Sequence, residues 1–142
     1  MAEDMSPEQT LVSAKFVATG FLACVVVFAA VVLIIGPSES EDPMVAYLAA
    51  AIAAAALLAH RPIGTIVGRQ AQGTVQGRFL TRTLVTFAVL EGPALFNIVA
   101  LLLEGQLLSL GLATLLVGAM LLAFPTHGKL DQFTAEASQG TN

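Results

Sequence analysis

Glu91 stands near the middle of an apolar run from Thr83 to Leu103, and Gly92 and Pro93 follow it at once. A run of about 20 apolar residues is what an α-helix needs to cross a bilayer. A carboxyl at that depth is costly unless it is protonated, paired or hydrated, and apolar surroundings favour its uncharged form. At about 100° per residue, Leu84, Phe87, Leu95 and Ile98 fall within about 40° of Glu91, so the carboxyl interrupts an apolar stripe. Thr86, Pro93 and Asn97 share a different face, more than about 100° away. The run holds no cation, and Arg82 lies before it on the opposite side of the helix. Pro93 has no N–H, which frees the carbonyl of Val89 one turn earlier, close to Glu91. A carboxyl, a freed carbonyl and a water are the parts of a proton or sodium site, with Glu91, Val89, Pro93 and Asn97 as its candidate residues. The competing reading makes Glu91 a hydrogen-bonding link to another helix, the usual role of an intramembrane asparagine such as Asn97.

Nothing else in the chain suggests catalysis. It has no GxSxG, Walker loop, CxxC or HExxH. The apolar runs hold no paired carboxylates and no histidine cluster for acid–base or metal chemistry. The sequence therefore gives no catalytic residue, no metal ligand set and no cofactor beyond a proton or sodium ion, and it reads as a non-enzyme. His60 and His127 sit at the edges of apolar runs. Cys24 is the only cysteine, which rules out an intramolecular disulfide, and it reads as a small buried apolar residue.

The elements that would position Glu91 follow from composition. The chain has 142 residues, of which 56% are hydrophobic and only 11% charged. Soluble domains carry about 25% charged residues, so these proportions indicate an all-α integral membrane protein. Four apolar runs, at about 16–35, 44–60, 83–103 and 106–124, predict a four-span transmembrane domain over 16–125. Gly36, Pro37 and the acidic stretch after them end the first run, and His60, Arg61 and Pro62 mark the end of the second or a kink. Glu104-Gly105 is a very short turn that predicts a tight hairpin of the last two runs.

A polar segment, 1–15, precedes these runs, and a polar tail, 126–142, expected to be mobile, follows them. Acidic residues Glu3, Asp4 and Glu8 and the length of the first run argue for a retained span rather than a cleaved signal. Between the second and third runs, residues 63–82 carry Gly64-x-x-x-Gly68 and Gly73-x-x-x-Gly77, a spacing that lets backbones approach closely. This segment can extend both helices and join them by a turn near Ala71–Gly73.

The cations fix an orientation. Lys15, Arg61, Arg69, Arg78, Arg82 and Lys129 all fall on one side of a four-span chain, and Glu39, Glu41, Asp42 and Glu104 on the other. The positive-inside rule then predicts an antiparallel bundle with both termini cytoplasmic. Arg61, Arg78 and Arg82 would fix orientation or hold anionic lipid headgroups. A plasma membrane, of the bacterial inner-membrane kind, fits this asymmetry.

The stretch from about Ala49 to Leu103 resembles the helical hairpin of the rotor-ring c subunit, or proteolipid, of ATP synthases. The resemblance rests on the small-residue helix YLAAAIAAAALLA, the loop pair Arg69-Gln70, and Glu91 about twenty residues later in VLEGPALFNIV. It implies a proton- or sodium-carrying Glu91, with Arg69 and Gln70 facing a soluble partner. The sequence departs from that family in four ways. It has four predicted spans rather than two, Glu91 lies in the third span where four-span members carry the key Glu in the last, alanines stand where a glycine zipper is expected, and Ala71 stands where the loop proline is expected. Two functions therefore follow as expectations: an ion-binding subunit of an ion-coupled membrane complex, or a non-transporting structural or assembly protein. In either case the partners would be the lipid bilayer and other membrane subunits or further copies of the chain, with no nucleic acid.

Overall fold

The computed structural model describes residues 6–38 and 42–139. Glu39 and Glu41, with the N-terminal acids Glu3 and Asp4, lie outside the described residues. The described chain is helical throughout, without strands. In order, its helices are α1 (Pro7–Ile35), α2 (Met44–Gln70), α3 (Val75–Glu104), α4 (Leu107–Ala123) and α5 (His127–Gln139).

Local chemistry sets the helix ends, and it moves several of them from where hydropathy alone would put them. The segment before Phe16 is helix from Pro7 onward, continuous with the apolar run. Ser6 Oγ accepts from Gln9 N at 3.2 Å and Gln9 Oε1 accepts from Ser6 N at 3.1 Å, a reciprocal cap that starts α1 early. Helix α2 passes through Pro62 and ends at Gln70, so His60-Arg61-Pro62 is not its end. The turn that follows falls at the expected place, and Thr74 then caps α3 by accepting from Gly77 N. Helix α3 stops at Gly105, whose φ of 66° suits a residue without a Cβ.

Helix α3 is the centre of the fold and packs against the other four helices. On α2, Ala46, Ala49, Ala53, Ala56, Gly64 and Gly68 are buried, forming a stripe of small residues. A methyl group on Gly64 would run into Thr86 Oγ1, and one on Gly68 would lie 3.0 Å from Arg82 Cβ. The second glycine pair works differently. Gly73 takes a φ of 111° in the turn and has nothing near its missing Cβ, and Gly77 meets only Thr74. Gly64-x-x-x-Gly68 is therefore a helix-packing motif, and Gly73-x-x-x-Gly77 belongs to a turn. The contacts of α2 with α3 run in opposite order along the two helices. Those of α1 run in the same order as α3, from the cluster of Leu11 and Phe79 to a bond from Ser38 N to the Leu102 carbonyl at 2.8 Å.

The main core joins Val25 and Val32 of α1, Ala53 of α2, Phe87, Leu90 and Ile98 of α3, and Leu116 and Met120 of α4. The outer surface is also apolar. Phe16, Ile34, Leu58 and Leu122 are each at least 80% exposed. Large apolar side chains spread over the outside as well as the inside fit a hydrocarbon solvent rather than water. Three helices, α1, α2 and α3, are long and apolar enough to cross a membrane. A fourth candidate span exists if α4 and α5, bent by 66° at their junction, are taken as one.

The polar tail forms a docked helix over its described part. Leu130 and Phe133 of α5 are buried with Leu11, Ala14 and Phe79, and the Phe79 and Phe133 rings lie 5.7 Å apart at 59°. A polar sequence carrying two apolar residues three apart can bury one face, which a reading by mean hydropathy overlooks. The beginnings of α1 and α3 and the helix α5 thus meet at one end of the bundle.

Two stability outcomes follow. Gly64→Val should destabilise the α2–α3 pair by about 1–3 kcal/mol in a detergent unfolding titration, while Gly20→Ala, with open space around it, should leave the midpoint unchanged. Phe133→Ala should free α5, seen as faster amide hydrogen exchange over His127–Gln139 with little change in α3.

Candidate functional site

Glu91 lies on the side of α3 that faces α1. It is half-buried and, with Phe16, Val17, Gly20 and Phe21, lines a shallow groove whose wall is almost wholly apolar. Phe21 also leans on Phe87 one turn earlier, with ring centroids 6.2 Å apart, which fixes the approach of α1 to this part of α3. The thiol of Cys24 lies near the Glu91 carboxyl. Cys24 is exposed on the outer face of α1 rather than buried, which corrects its reading as a core residue. No Lys, Arg or His pairs with Glu91 among the described residues.

Asn97 takes the opposite side. It is fully buried, and its Nδ2 donates to the Ala49 carbonyl of α2 at 3.2 Å and to the Pro93 carbonyl at 2.9 Å. Its Oδ1 has no partner. Asn97 is thus an interhelical link, and it does not converge with Glu91. Pro93 serves this second face through its carbonyl. Val89, whose carbonyl Pro93 leaves without a helical donor, is half-buried at the edge of the core.

The carboxylate that ties helices together is Glu104. It is 6% exposed, and its two oxygens accept from Val45 N at 2.6 Å and Ala46 N at 2.7 Å. These are first-turn amides of α2, which have no partner inside their own helix. Pro43, at the cap position, offers no side-chain acceptor. A negative charge there also meets the positive end of the α2 dipole. The sequence reading took Glu104 for a turn residue. A helix opening after proline without its own Ser, Thr or Asn cap is the signal that an acceptor must come from elsewhere.

The basic residues separate into groups. Arg69 and Gln70 are exposed in the last turn of α2, open to a partner. Arg78 is half-buried and its Nε has no hydrogen-bond partner. Arg61 and Arg82 border a cavity of about 550 Å³ between α2, α3, α4 and α5, together with His60 and Lys129. His60 Nδ1 lies 2.9 Å from the Leu57 carbonyl. The Arg82 guanidinium sits 5.6 Å from the centre of the Phe133 ring. Lys129 Nζ donates to the Leu122 and Phe124 carbonyls at 2.5 and 2.9 Å, covering the end of α4. Burial, and then the charges of Arg61 and Arg82, push the Lys129 ammonium below the usual lysine range. No group of three or more His, Cys, Asp or Glu able to hold a metal occurs among the described residues.

The fold and site define an all-helical protein with several helices fit to cross a bilayer. Comparison with family models, curated proteins and solved structures returns no match for the chain.

The two carboxylates should respond oppositely to mutation. Glu104→Ala leaves one buried and one part-buried amide without acceptors and should cost about 1–3 kcal/mol. Glu91→Gln should shift the unfolding midpoint by less than about 0.5 kcal/mol. Circular dichroism of both variants in one detergent separates these outcomes, and equal losses would show that Glu91 is structural too.

Proposed function

We propose that the chain is a small multi-pass membrane protein whose Glu91 is a protonatable carboxyl at the lipid-facing side of the bundle, acting as the ion-binding group of a subunit in an ion-coupled membrane complex. The observation that carries this reading is the setting of Glu91, half-exposed in an apolar groove between α1 and α3 lined by Phe16, Val17, Gly20 and Phe21. Two buried polar groups further along α3, Asn97 and Glu104, are spent on joining α2 to α3. A carboxyl left out of that framework is free to take up and release a proton. The groove surrounds it with carbon and one sulfur rather than with oxygens, which favours a proton over sodium as the ion. The likeness to a rotor-ring c subunit supports the same role, with Arg69 and Gln70 at the exposed end of α2 as the partner-facing pair.

The topology proposed with it has four spans, α1 to α4, in an antiparallel bundle with both termini cytoplasmic, in a plasma membrane of the bacterial type. Two observations support it. The cations all fall on one side of such a chain, and the beginning of α1, the beginning of α3 and α5 share one apolar cluster. A second reading, a structural or assembly protein without transport, is favoured by the exposed apolar outer face of α1, which could pack against other subunits or further copies.

The test is labelling of the solubilised protein with a hydrophobic carbodiimide, read by mass spectrometry of the Glu91 peptide across pH and with added sodium. The expected result is modification at Glu91 and not at Glu104, fading as pH rises and unchanged by sodium. Protection by sodium would make sodium the ion. Absence of labelling at every pH would sink the ion-binding reading and leave the assembly role.

A further inference from the structure

The cavity bordered by Arg61 and Arg82 is a second site, on the other side of α3 from the Glu91 groove. Its wall carries Arg61, Arg82 and Lys129 against a single carboxylate, Glu136. Lys129 is committed to the carbonyls at the end of α4 and remains as a fixed charge in the wall. Neither Arg61 nor Arg82 has an acidic partner among the described residues, and Arg82 rests on the Phe133 ring with its N–H groups still available. Clustered like charges in a partly apolar setting call for a counter-ion. Guanidinium groups match the oxygens of a phosphate in pairs.

The rest of the lining says what else the ligand carries. Ala119, Leu122 and Ala123 form an apolar portion of the wall, and Leu122 continues onto the outer surface of the bundle, where it is 80% exposed. A ligand reaching from the cations to that surface has an anionic head and a hydrocarbon part. A free inorganic ion would use only half of the cavity.

We propose that this cavity binds the headgroup of an anionic phospholipid, with Arg61 and Arg82 on its phosphate and the first acyl carbons against Leu122 and Ala123. Basic pockets between spans at the cytoplasmic face are known to suit such headgroups. The lipid would join α2, α3 and α5 at the end where the two terminal segments meet. The assignment is independent of any role of Glu91.

Native mass spectrometry of the protein in detergent, offered phosphatidylglycerol and phosphatidylcholine in equal amounts, tests it. Phosphatidylglycerol should be retained roughly tenfold over phosphatidylcholine. Arg61→Gln should remove most of that preference, Arg61→Lys should keep part of it, and Arg69→Gln, outside the cavity, should keep all of it. Arg61 is exposed on α2, so its variants should retain their helix content, and they decide the matter if Arg82→Gln does not fold. Equal retention of the two lipids, or a preference that survives Arg61→Gln and Arg82→Gln, overturns the proposal. A parallel melt with millimolar inorganic phosphate distinguishes the source. Stabilisation by phosphate without any lipid preference would assign the cavity to a soluble phosphate compound and overturn the lipid assignment.

Discussion

The bond from Glu104 to the first amides of α2 is the constraint around which the bundle is arranged. A helix whose first turn is buried must find acceptors for its free N–H groups, because apolar neighbours supply none. Pro43 cannot provide one from its side chain. Glu104, at the far end of α3, provides two oxygens at 2.6 and 2.7 Å. This fixes the register of α2 against α3. From there Asn97 meets Ala49, Thr86 meets Gly64, and Arg82 meets Gly68, each pair further from the Glu104 end. One carboxylate thus sets which alanines and glycines face α3, and small residues at those places let the two backbones close up.

The polar groups of this chain divide by what they are bonded to. Thr83 and Thr86 return their hydroxyls to carbonyls one turn back in their own helix. Asn97 and Glu104 cross to α2. Glu91 does neither and faces a groove of Phe16, Val17, Gly20 and Phe21. The contrast between two carboxylates on one helix is the basis for separating structure from function here. Glu104 is held between two amides of α2, whereas Glu91 meets an apolar wall.

Much of the architecture was legible in the residues, for physical reasons that can be named. The helical class, the apolar cores of the long helices and the turn near Ala71–Gly73 follow from composition and breakers. Gly64-x-x-x-Gly68 was legible as a candidate contact, but the same spacing in Gly73-x-x-x-Gly77 belongs to a turn, so the spacing alone did not tell the two apart. The ends of helices were less so. Ser6, Pro7 and Gln9 carry a capping pattern that extends α1 past the apolar run, and hydropathy has no sensitivity to it. The helix α5 was hidden because Leu130 and Phe133 are outnumbered by polar neighbours. The candidate site was only partly legible. Angular position put Asn97 on a different face of α3 from Glu91, yet the two were grouped in one candidate site, and the exposure of Cys24 cannot be read from one strand of sequence. Glu104 was missed because its partners lie 58 and 59 positions away along the chain.

That long separation bears on how the protein is made. When α2 emerges, the residue that will satisfy its first turn has not yet been synthesised. Until Glu104 arrives, the amides of Val45 and Ala46 must keep water or another acceptor. The first turn of α2 gains these acceptors only once the turn after Gln70 and the whole of α3 are in place. The order of synthesis, rather than hydropathy alone, decides when this end of the hairpin becomes dry.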